Sequence, residues 1–313
     1  MSNRNDIERL AAEYNFIRDN MEKVVRLCTI LEFVNSDMPL SQSLALKGGT
    51  AINLLVMPLS RLSVDIDLDF TDNCDRQTML RQRKVITDRL QSYMLANGYR
   101  LMPRSKSPFS IDSWVFQYIN SVGNLDNIKI EINYSMRCHL LPTQALPIQL
   151  PMFAVKVRTL ALIELYASKI KALLERGAAR DLFDVQNMIQ SGIIDETQKQ
   201  MLRKGVVFYS AVGGNQKPAI PYSLETIELM KFKQIKASLL PVLKRGTFYD
   251  LDAVKRTVCD YLKDLLKLTK NEQLFIARFN ANDYCPELLF EDSEIIERIR
   301  KHPMAIWKTS KGN

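Results

Sequence analysis

Residues 46–70, LKGGTAINLLVMPLSRLSVDIDLDF, decide how the fold of this chain is interpreted. A glycine pair, Gly48 and Gly49, precedes Thr50 and a short apolar segment typical of a helix. A glycine turn that opens onto a helix N-terminus exposes backbone N–H groups, and such groups bind phosphate oxygens. On its own the glycine pair is a weak signal, because an ordinary turn before a helix has the same sequence.

The second half of this stretch predicts a strand over residues 62–70 that carries Asp65 and Asp67. Residues i and i+2 of a strand point to the same face, so these carboxylates are expected side by side, with Asp69 continuing the row. Two adjacent carboxylates stay ionised together at low cost only when a cation lies between them. The solvent-exposed face of an ordinary sheet would give the same pattern. Together with the glycine turn, the acid pair favours a metal-dependent site for nucleotidyl transfer.

A third acid is expected from a neighbouring strand. Strands are predicted over residues 113–121 and 127–135, joined around Gly123 as an antiparallel pair. Polar and apolar residues alternate in the second strand, which places Lys129 and Glu131 on one face. Because two-metal phosphoryl transfer uses carboxylates to hold the metal ions, Glu131 is predicted as the third metal ligand.

A second informative segment, residues 159–191, predicts two helices separated by a tight turn at residue 177. Lys169 lies in an apolar run, where an ammonium group without a partner would be costly. A nucleotide phosphate or an acidic partner would remove that cost, and a surface lysine that extends to solvent would avoid it. Asp181 lies in the first helical turn, where its charge suits the helix dipole. A local ion pair between Arg180 and Asp184 is the default expectation.

Composition limits the class of protein. The 313 residues suffice for about two domains. Five cysteines, odd in number and without a CxxC pair, favour a reducing compartment. No apolar run approaches the roughly 20 residues of a membrane span, and the first residues do not resemble a secretory signal. We therefore expect a cytoplasmic protein without a membrane partner.

The charge distribution points to a polyanionic partner without identifying it. The chain carries 43 Lys and Arg against 35 Asp and Glu, a formal charge of +8. Residues 231–270 alone contain ten Lys or Arg, four Asp and no Glu. Such a segment is either a solvated helix face or a surface that follows a nucleic-acid backbone.

The order of predicted elements indicates an α+β protein. An amphipathic helix over residues 7–31 precedes alternating strands and helices, including a long helix over 76–96 and a further strand near 153–157. After residue 159 the chain is predicted to be helical almost throughout. The predicted helices span 159–175, 179–191, 195–211, 223–245, 250–267, 271–281 and 293–301. The expected domains are residues 1–157, mixed α/β, and residues 158–313, a helical domain that completes the active site and binds RNA.

These motifs together resemble the AbiEii family of nucleotidyltransferase toxins, whose core is similar to that of DNA polymerase β-like nucleotidyltransferases. The resemblance rests on KGGTA at 47–51, RLSVDIDL at 61–68, KIEI at 129–132, the segment 169–184, and HPMAIWK at 302–308. It implies transfer of a nucleoside monophosphate from an NTP under Mg²⁺ or Mn²⁺, with tRNA or another RNA as acceptor. It also implies a role in abortive infection and phage defence, and an AbiEi-like winged-helix antitoxin as partner.

The resemblance assigns roles to individual residues. The implied metal ligands are Asp65 and Asp67, with Glu131 as the third. The implied nucleotide-binding residues are Gly48, Gly49, Thr50, Ser63, Lys169 and Arg180. Lys169 would contact the triphosphate, and Asp181 would orient the nucleotide or the attacking group. Two alternatives remain open: nucleotidylation or phosphorylation of a protein target, and a catalytically silent GTP-binding toxin.

Overall fold

The structure, a computed structural model, describes residues 4–214 and 216–310. The chain divides into two compact units, and both contain discontinuous segments of the sequence. The predicted domains, 1–157 and 158–313, stay a prediction. The first unit comprises Met1–Arg137, Thr143–Leu160 and Val242–Thr247, and the second comprises Cys138–Pro142, Ala161–Pro241 and Phe248–Asn313.

The first unit is built on a mixed sheet that has seven strands within the described residues, in the order β3-β4-β5-β2-β1-β7-β6. β2 pairs in parallel with β5 and antiparallel with β1. The strands are β1 Leu44–Lys47, β2 Asp65–Phe70, β3 Arg100–Leu101, β4 Ile111–Ile119, β5 Leu125–Asn133, β6 Gln144–Pro147 and β7 Lys156–Thr159. The helices are α1 Arg4–Glu13, α2 Arg18–Ser36, α3 Met38–Ser43, α4 Gly48–Ala51 with a following π-helical turn Ile52–Val56, and α5 Arg76–Ala96.

Alternation along β2 and β5 separates a buried face of the sheet from a polar one. Ile66 of β2 lies beside Ile130 of β5, and both are fully buried. Burying such side chains contributes on the order of 1.5–3 kcal/mol each, so the register of the two strands is firmly set. A slip by one residue would turn the acids of β2 into the core.

Most predicted elements of the first unit are confirmed, and one is wrong. The helix over 76–96 has the predicted ends, and its first turn is capped by Asp75, whose carboxylate accepts from the N–H of Thr78. The strands predicted at 113–121 and 127–135 are antiparallel but begin and end two residues earlier. The single helix predicted over 7–31 is instead α1 and α2. Asn15 interrupts it with a φ of 59°, a left-handed conformation that asparagine tolerates better than most residues.

The second unit is helical in its described residues. Its α-helices are α6 Leu162–Arg176, α7 Ala179–Ser191, α8 Glu196–Gly213, α9 Glu225–Glu228, α10 Phe232–Ser238, α11 Leu251–Leu265, α12 Lys270–Asn280, α13 Ser293–Ile299 and α14 Pro303–Ser310. Short 3₁₀ turns occupy Leu240–Val242 and Pro286–Leu288. Within the described part of the chain, no helix combines the length and apolar character needed to cross a membrane.

The helix predicted over 223–245 is wrong, because the chain breaks there into α9, α10 and a 3₁₀ turn. Met230 and Ile235 are both buried but stand five residues apart, a step that leaves the face of a continuous helix. Pro241 then prevents continuation, since it has no N–H to donate.

Gly177 makes the turn between α6 and α7. Its φ of 55° is left-handed, and a Cβ there would lie 2.6 Å from the carbonyl oxygen of Thr226. The hydroxyl of Thr226 bonds to the last turn of α6, 3.1 Å from the carbonyl oxygen of Leu174. This close approach fixes where α6 ends, and therefore where the first turn of α7 begins.

Candidate active site

The glycine pair lies where β1 ends and α4 begins, with side chains packed against both residues. Gly48 has a φ of +70°, and a Cβ there would lie 2.7 Å from Oδ2 of Asp67. A Cβ on Gly49 would lie 2.6 Å from Nη2 of Arg61. Gly48 needs glycine because its φ is left-handed, and a side chain at Gly49 would require Arg61 to move. The acid pair and the glycine turn thus meet in one place, as the sequence predicted.

Thr50 ties this turn to the start of β2. Its side chain is buried, and its hydroxyl donates to the backbone carbonyl of Asp65. The same hydroxyl lies 3.0 Å from Oγ of Ser63, which is half-buried. The Thr50 side chain therefore positions the aspartates, and a contact of this residue with phosphate would come from its backbone N–H.

The predicted acids share one face of the sheet. Asp67 lies between Lys47 of β1 and Glu131 of β5 in the strand register, and Asp65 lies beside Lys129. Asp65, Asp67 and Glu131 are all half-buried. Glu131 therefore lies next to Asp67 in the strand register, and its role as a metal ligand stays a prediction.

Lysine side chains form ion pairs with two other acids of this face, Asp69 and Glu131. Nζ of Lys47 lies 2.5 Å from Oδ1 of Asp69, whose side chain is only 4% exposed. Nζ of Lys129 lies 2.8 Å from Oε2 of Glu131. Among the described residues the carboxylate of Asp65 has no hydrogen-bond or ion-pair partner. Asp69 continues the row of acids, as expected, but it is buried and paired.

These carboxylates determine whether the site could bind a divalent metal ion. Within residues 4–214 and 216–310, no three His, Cys, Asp or Glu side chains form a group that could hold a metal ion. Magnesium sites in phosphoryl-transfer enzymes often use only one or two carboxylates and complete the octahedron with water and substrate phosphate. Asp65 and Asp67, adjacent on one strand face, supply oxygen donors of that kind.

In the second unit, Lys169 of α6 is held by two aspartates of α7. Its Nζ lies 2.9 Å from Oδ1 of Asp181 and 3.0 Å from Oδ2 of Asp184. Nε of Arg176 lies 2.7 Å from Oδ2 of Asp181. Lys169 is 7% exposed and each aspartate 1%. Acidic partners, one of the options left open by the sequence, therefore compensate the buried ammonium.

Electrostatics keep Asp181 ionised. Burial works to raise the pKa of Asp181, but the charge of Lys169 and the hydrogen bond and charge of Arg176 outweigh it. The pKa of Asp181 is therefore held below its usual value. An ionised Asp181 gives Nζ of Lys169 a negatively charged partner at 2.9 Å.

The default ion pair between Arg180 and Asp184 is wrong. Asp184 lies on the side of α7 that faces α6, and it binds Lys169 instead. Arg180 is half-buried and has no hydrogen-bond or ion-pair partner in the described part of the chain. Its proposed contact with nucleotide stays a prediction.

Sequence reasoning did not assign site roles to three residues that the structure places at these positions. Arg61 packs against Gly49, Lys47 binds Asp69, and Asp184 binds Lys169. A signal existed for Arg61, since a charged residue between Leu59 and Leu62 is unusual in an apolar segment. The partners of the two others depend on tertiary packing, which the sequence pattern does not give.

The fold and the acid-bearing sheet define the class as nucleotidyltransferase, and comparison with known proteins agrees. Residues 30–272 match the family model described as nucleotidyl transferase AbiEii toxin, type IV TA system. The chain belongs to this family of toxins of type IV toxin–antitoxin systems, which confirms the resemblance read from the motifs. Membership implies a nucleoside triphosphate as substrate and an antitoxin as partner.

Solved structures support the fold. The chain is similar to MenT4, a nucleotidyltransferase toxin from Mycobacterium tuberculosis H37Rv, with a TM-score of 0.64 and 17% identity, over 98% of this chain and 99% of that one. A match to CdnC with ATP from E. coli MS115-1 has a TM-score of 0.23 and 15% identity, over 88% and 96% of the two chains, and carries no argument. No curated protein matches the sequence. The α+β nucleotidyltransferase fold expected from the sequence is confirmed.

Proposed function

We propose that this chain transfers a nucleoside monophosphate from an NTP to RNA, at the 3′ end of tRNA, with release of pyrophosphate. The observation that carries the proposal is the contact between the two halves of the motif. Oδ2 of Asp67 lies against Gly48, so a phosphate held by the glycine turn would lie beside the acid pair. Blocking tRNA ends would stop aminoacylation and arrest growth.

A divalent cation fits the acid pair. We propose Mg²⁺, or Mn²⁺ in its place, held by Asp65 and Asp67, with Glu131 as third ligand once it exchanges its ion pair with Lys129 for the metal. When bound by Asp65 and Asp67, the ion would supply charge neutralisation for the triphosphate and activation of the attacking oxygen. Titration with Mn²⁺, monitored by electron paramagnetic resonance, tests metal binding at this site independently of an activity assay. Binding should weaken strongly in Asp65→Asn and only modestly in Glu131→Gln.

The remaining residues hold and orient the nucleotide in this proposal. Gly48 and Gly49 offer backbone N–H groups to phosphate, and Thr50 and Ser63 hold the turn against β2. A second set lies in the helical unit. Lys169 contacts the triphosphate, Asp181 fixes the charge and direction of Lys169, and Arg180 adds a cation at the start of α7.

The proposed RNA surface is narrower than the basic segment that suggested it. The exposed face of α11 mixes both charges, with Asp252, Arg256, Asp260, Lys263 and Asp264. Helix α10 instead carries exposed Lys233 and Lys236, and the ring of Phe232, 42% exposed, lies 5.6 Å from Nζ of Lys236. An exposed ring among cations suits a stacked base and its phosphate. We assign RNA contact to α10.

The proposal extends to the cell. A type IV toxin acts with its antitoxin, and we propose an AbiEi-like winged-helix protein as the cognate partner, without a stable complex. Action on tRNA places the chain in the cytoplasm, in abortive infection and phage defence.

The test is incubation of the purified protein with bacterial tRNA, Mg²⁺ and each α-³²P-labelled NTP in turn. The double variant Asp65→Asn, Asp67→Asn is compared with Asp88→Asn, which changes an exposed aspartate of α5. We expect label on tRNA with the wild type and Asp88→Asn, and none with the double variant. Label on protein alone would show that the acceptor is a protein and not RNA. Growth arrest by the double variant without any label would contradict an enzymatic toxin.

A further inference from the structure

Arg61 lies beneath the glycine turn with its guanidinium out of solvent. Arg61 is 2% exposed, and it is one of the largest fully buried side chains in the described part of the protein. Nη1 donates to the carbonyl oxygen of Leu62 at 2.9 Å, which ties the guanidinium to the chain just before β2. Nη2 lies 2.6 Å from the position that a Cβ of Gly49 would occupy. The turn therefore rests directly on this cation.

Side chains of both charges pack against the turn. Gly48 lies against Oδ2 of Asp67, while Gly49 lies against Arg61 and, at 3.1 Å from its Cβ position, Oγ of Ser63. A carboxylate oxygen is therefore the nearest atom to one glycine, and a guanidinium nitrogen is the nearest atom to the other. A side chain at either position would separate the backbone from one of the two charges.

A buried guanidinium has a specific electrostatic consequence at this place. Arginine stays protonated in proteins, so its charge cannot be removed by a shift of pKa. Charges act more strongly across protein than across water, because the effective dielectric constant is lower. A phosphate held by the N–H groups of the turn would therefore be attracted by the charge of Arg61 even without direct contact.

We propose that Arg61 is a positioning residue for the phosphates of the nucleotide. It sets the height and tilt of the Gly48–Gly49 backbone, and its charge favours ligands with more phosphates over those with fewer. This inference rests on the proposed nucleotidyl transfer, and it goes beyond the roles of the acid pair and Lys169.

Calorimetric titration with inorganic tripolyphosphate and pyrophosphate in Mg²⁺ tests the proposal without requiring the identity of the base. The wild type should bind tripolyphosphate more tightly than pyrophosphate. In Arg61→Met the affinity for tripolyphosphate should fall by about tenfold or more, the effect of one charged hydrogen-bonding group, and the preference between the two ligands should shrink. Arg61→Lys keeps the charge without the planar fork, and should retain the preference at reduced affinity.

A purely structural role predicts a different result, because it would lower both affinities by one common factor. That outcome, or unchanged binding by Arg61→Met, overturns the inference while the wild type still binds. If circular dichroism shows that Arg61→Met does not fold, the Arg61→Lys variant provides the test. Loss of its preference for tripolyphosphate over pyrophosphate would overturn the charge argument. Failure of the wild type to bind either ligand would instead contradict the proposed phosphate site itself.

Discussion

The acid pair on β2 and the Lys169 cluster between α6 and α7 differ in burial and in charge balance. Asp65 and Asp67 lie on a half-buried strand face, where a like-charged pair is placed side by side by the strand period. Lys169 and its two aspartates are almost fully buried, and opposite charges balance within the cluster. The carboxylates of the first group lie near solvent, where a cation could reach them. The second is complete within its own unit.

This difference predicts unequal contributions of the two groups to folding stability. A like-charged pair near solvent can be neutralised with little cost in folding free energy, since relief of repulsion offsets lost interactions. A balanced buried cluster loses several kcal/mol when one partner is removed, because the others remain buried without compensation. Equivalent-looking substitutions in the two groups should therefore have different consequences.

The largest expected effect is on activity in the strand pair. Asp65→Asn combined with Asp67→Asn should reduce nucleotide incorporation by about a thousandfold or more, as loss of a metal site worth several kcal/mol implies. The melting temperature should stay the same or rise. Initial rates and thermal melts of the same preparations check both statements. A large fall in melting temperature would show that Asp65 and Asp67 stabilise the fold, and would contradict this prediction.

Lys169→Met should lower both stability and activity. Removal of the ammonium leaves Asp181 and Asp184 buried without their cation, which is expected to cost about 3–5 kcal/mol. Urea denaturation measures the loss. Adding Asp181→Asn and Asp184→Asn should recover part of the stability and none of the activity. If Lys169→Met were as stable as the wild type, the cluster would not be the closed ion network described above.

Gly48→Ala separates backbone strain from the contact with Asp67. The matched control is Gly98→Ala, since Gly98 also has a positive φ, +79°, but no atom lies within 4 Å of its Cβ position. Both variants should lose about 1–2 kcal/mol of stability from the left-handed conformation. Only Gly48→Ala should lose activity, by about tenfold or more, because its Cβ displaces the Asp67 carboxylate. Equal activities would show that this contact has no role.

The smallest effect is a pH dependence that belongs to the buried cluster. The pKa of Asp181 is lower in the folded protein than the value of about 3.9 in an unfolded chain. Its ionised form therefore contributes stability that is fully present above pH 4 and is lost as the pH falls through the folded pKa. Asp181→Asn should be less stable than the wild type at pH 7, and the difference should shrink below about pH 4. Asp252→Asn, at an exposed site on α11, is the control for urea midpoints across this range.

The sequence was informative where a local period sets the geometry. The alternation in β2 was enough to place Asp65 and Asp67 on one face, because the strand period does not depend on distant contacts. That Glu131 shares this face follows from the pairing of β2 with β5, which the structure provides. It was insufficient for Lys169, since its apolar surroundings indicated a buried charge without identifying Asp184 as a partner. The break between α9 and α10 was missed because residues 229–231, where the helix is interrupted, contain neither glycine nor proline.

The central claim, nucleotidyl transfer by the acid pair, is tested most directly by two labels on one donor. The NTP incorporated by the wild type is supplied with ³²P at the α position and, in parallel, at the γ position. The account predicts that the α label enters tRNA, that the γ label leaves as pyrophosphate, and that both events require Asp65 and Asp67. Transfer of the γ label to any acceptor, or α transfer that persists in the double Asn variant, would contradict it.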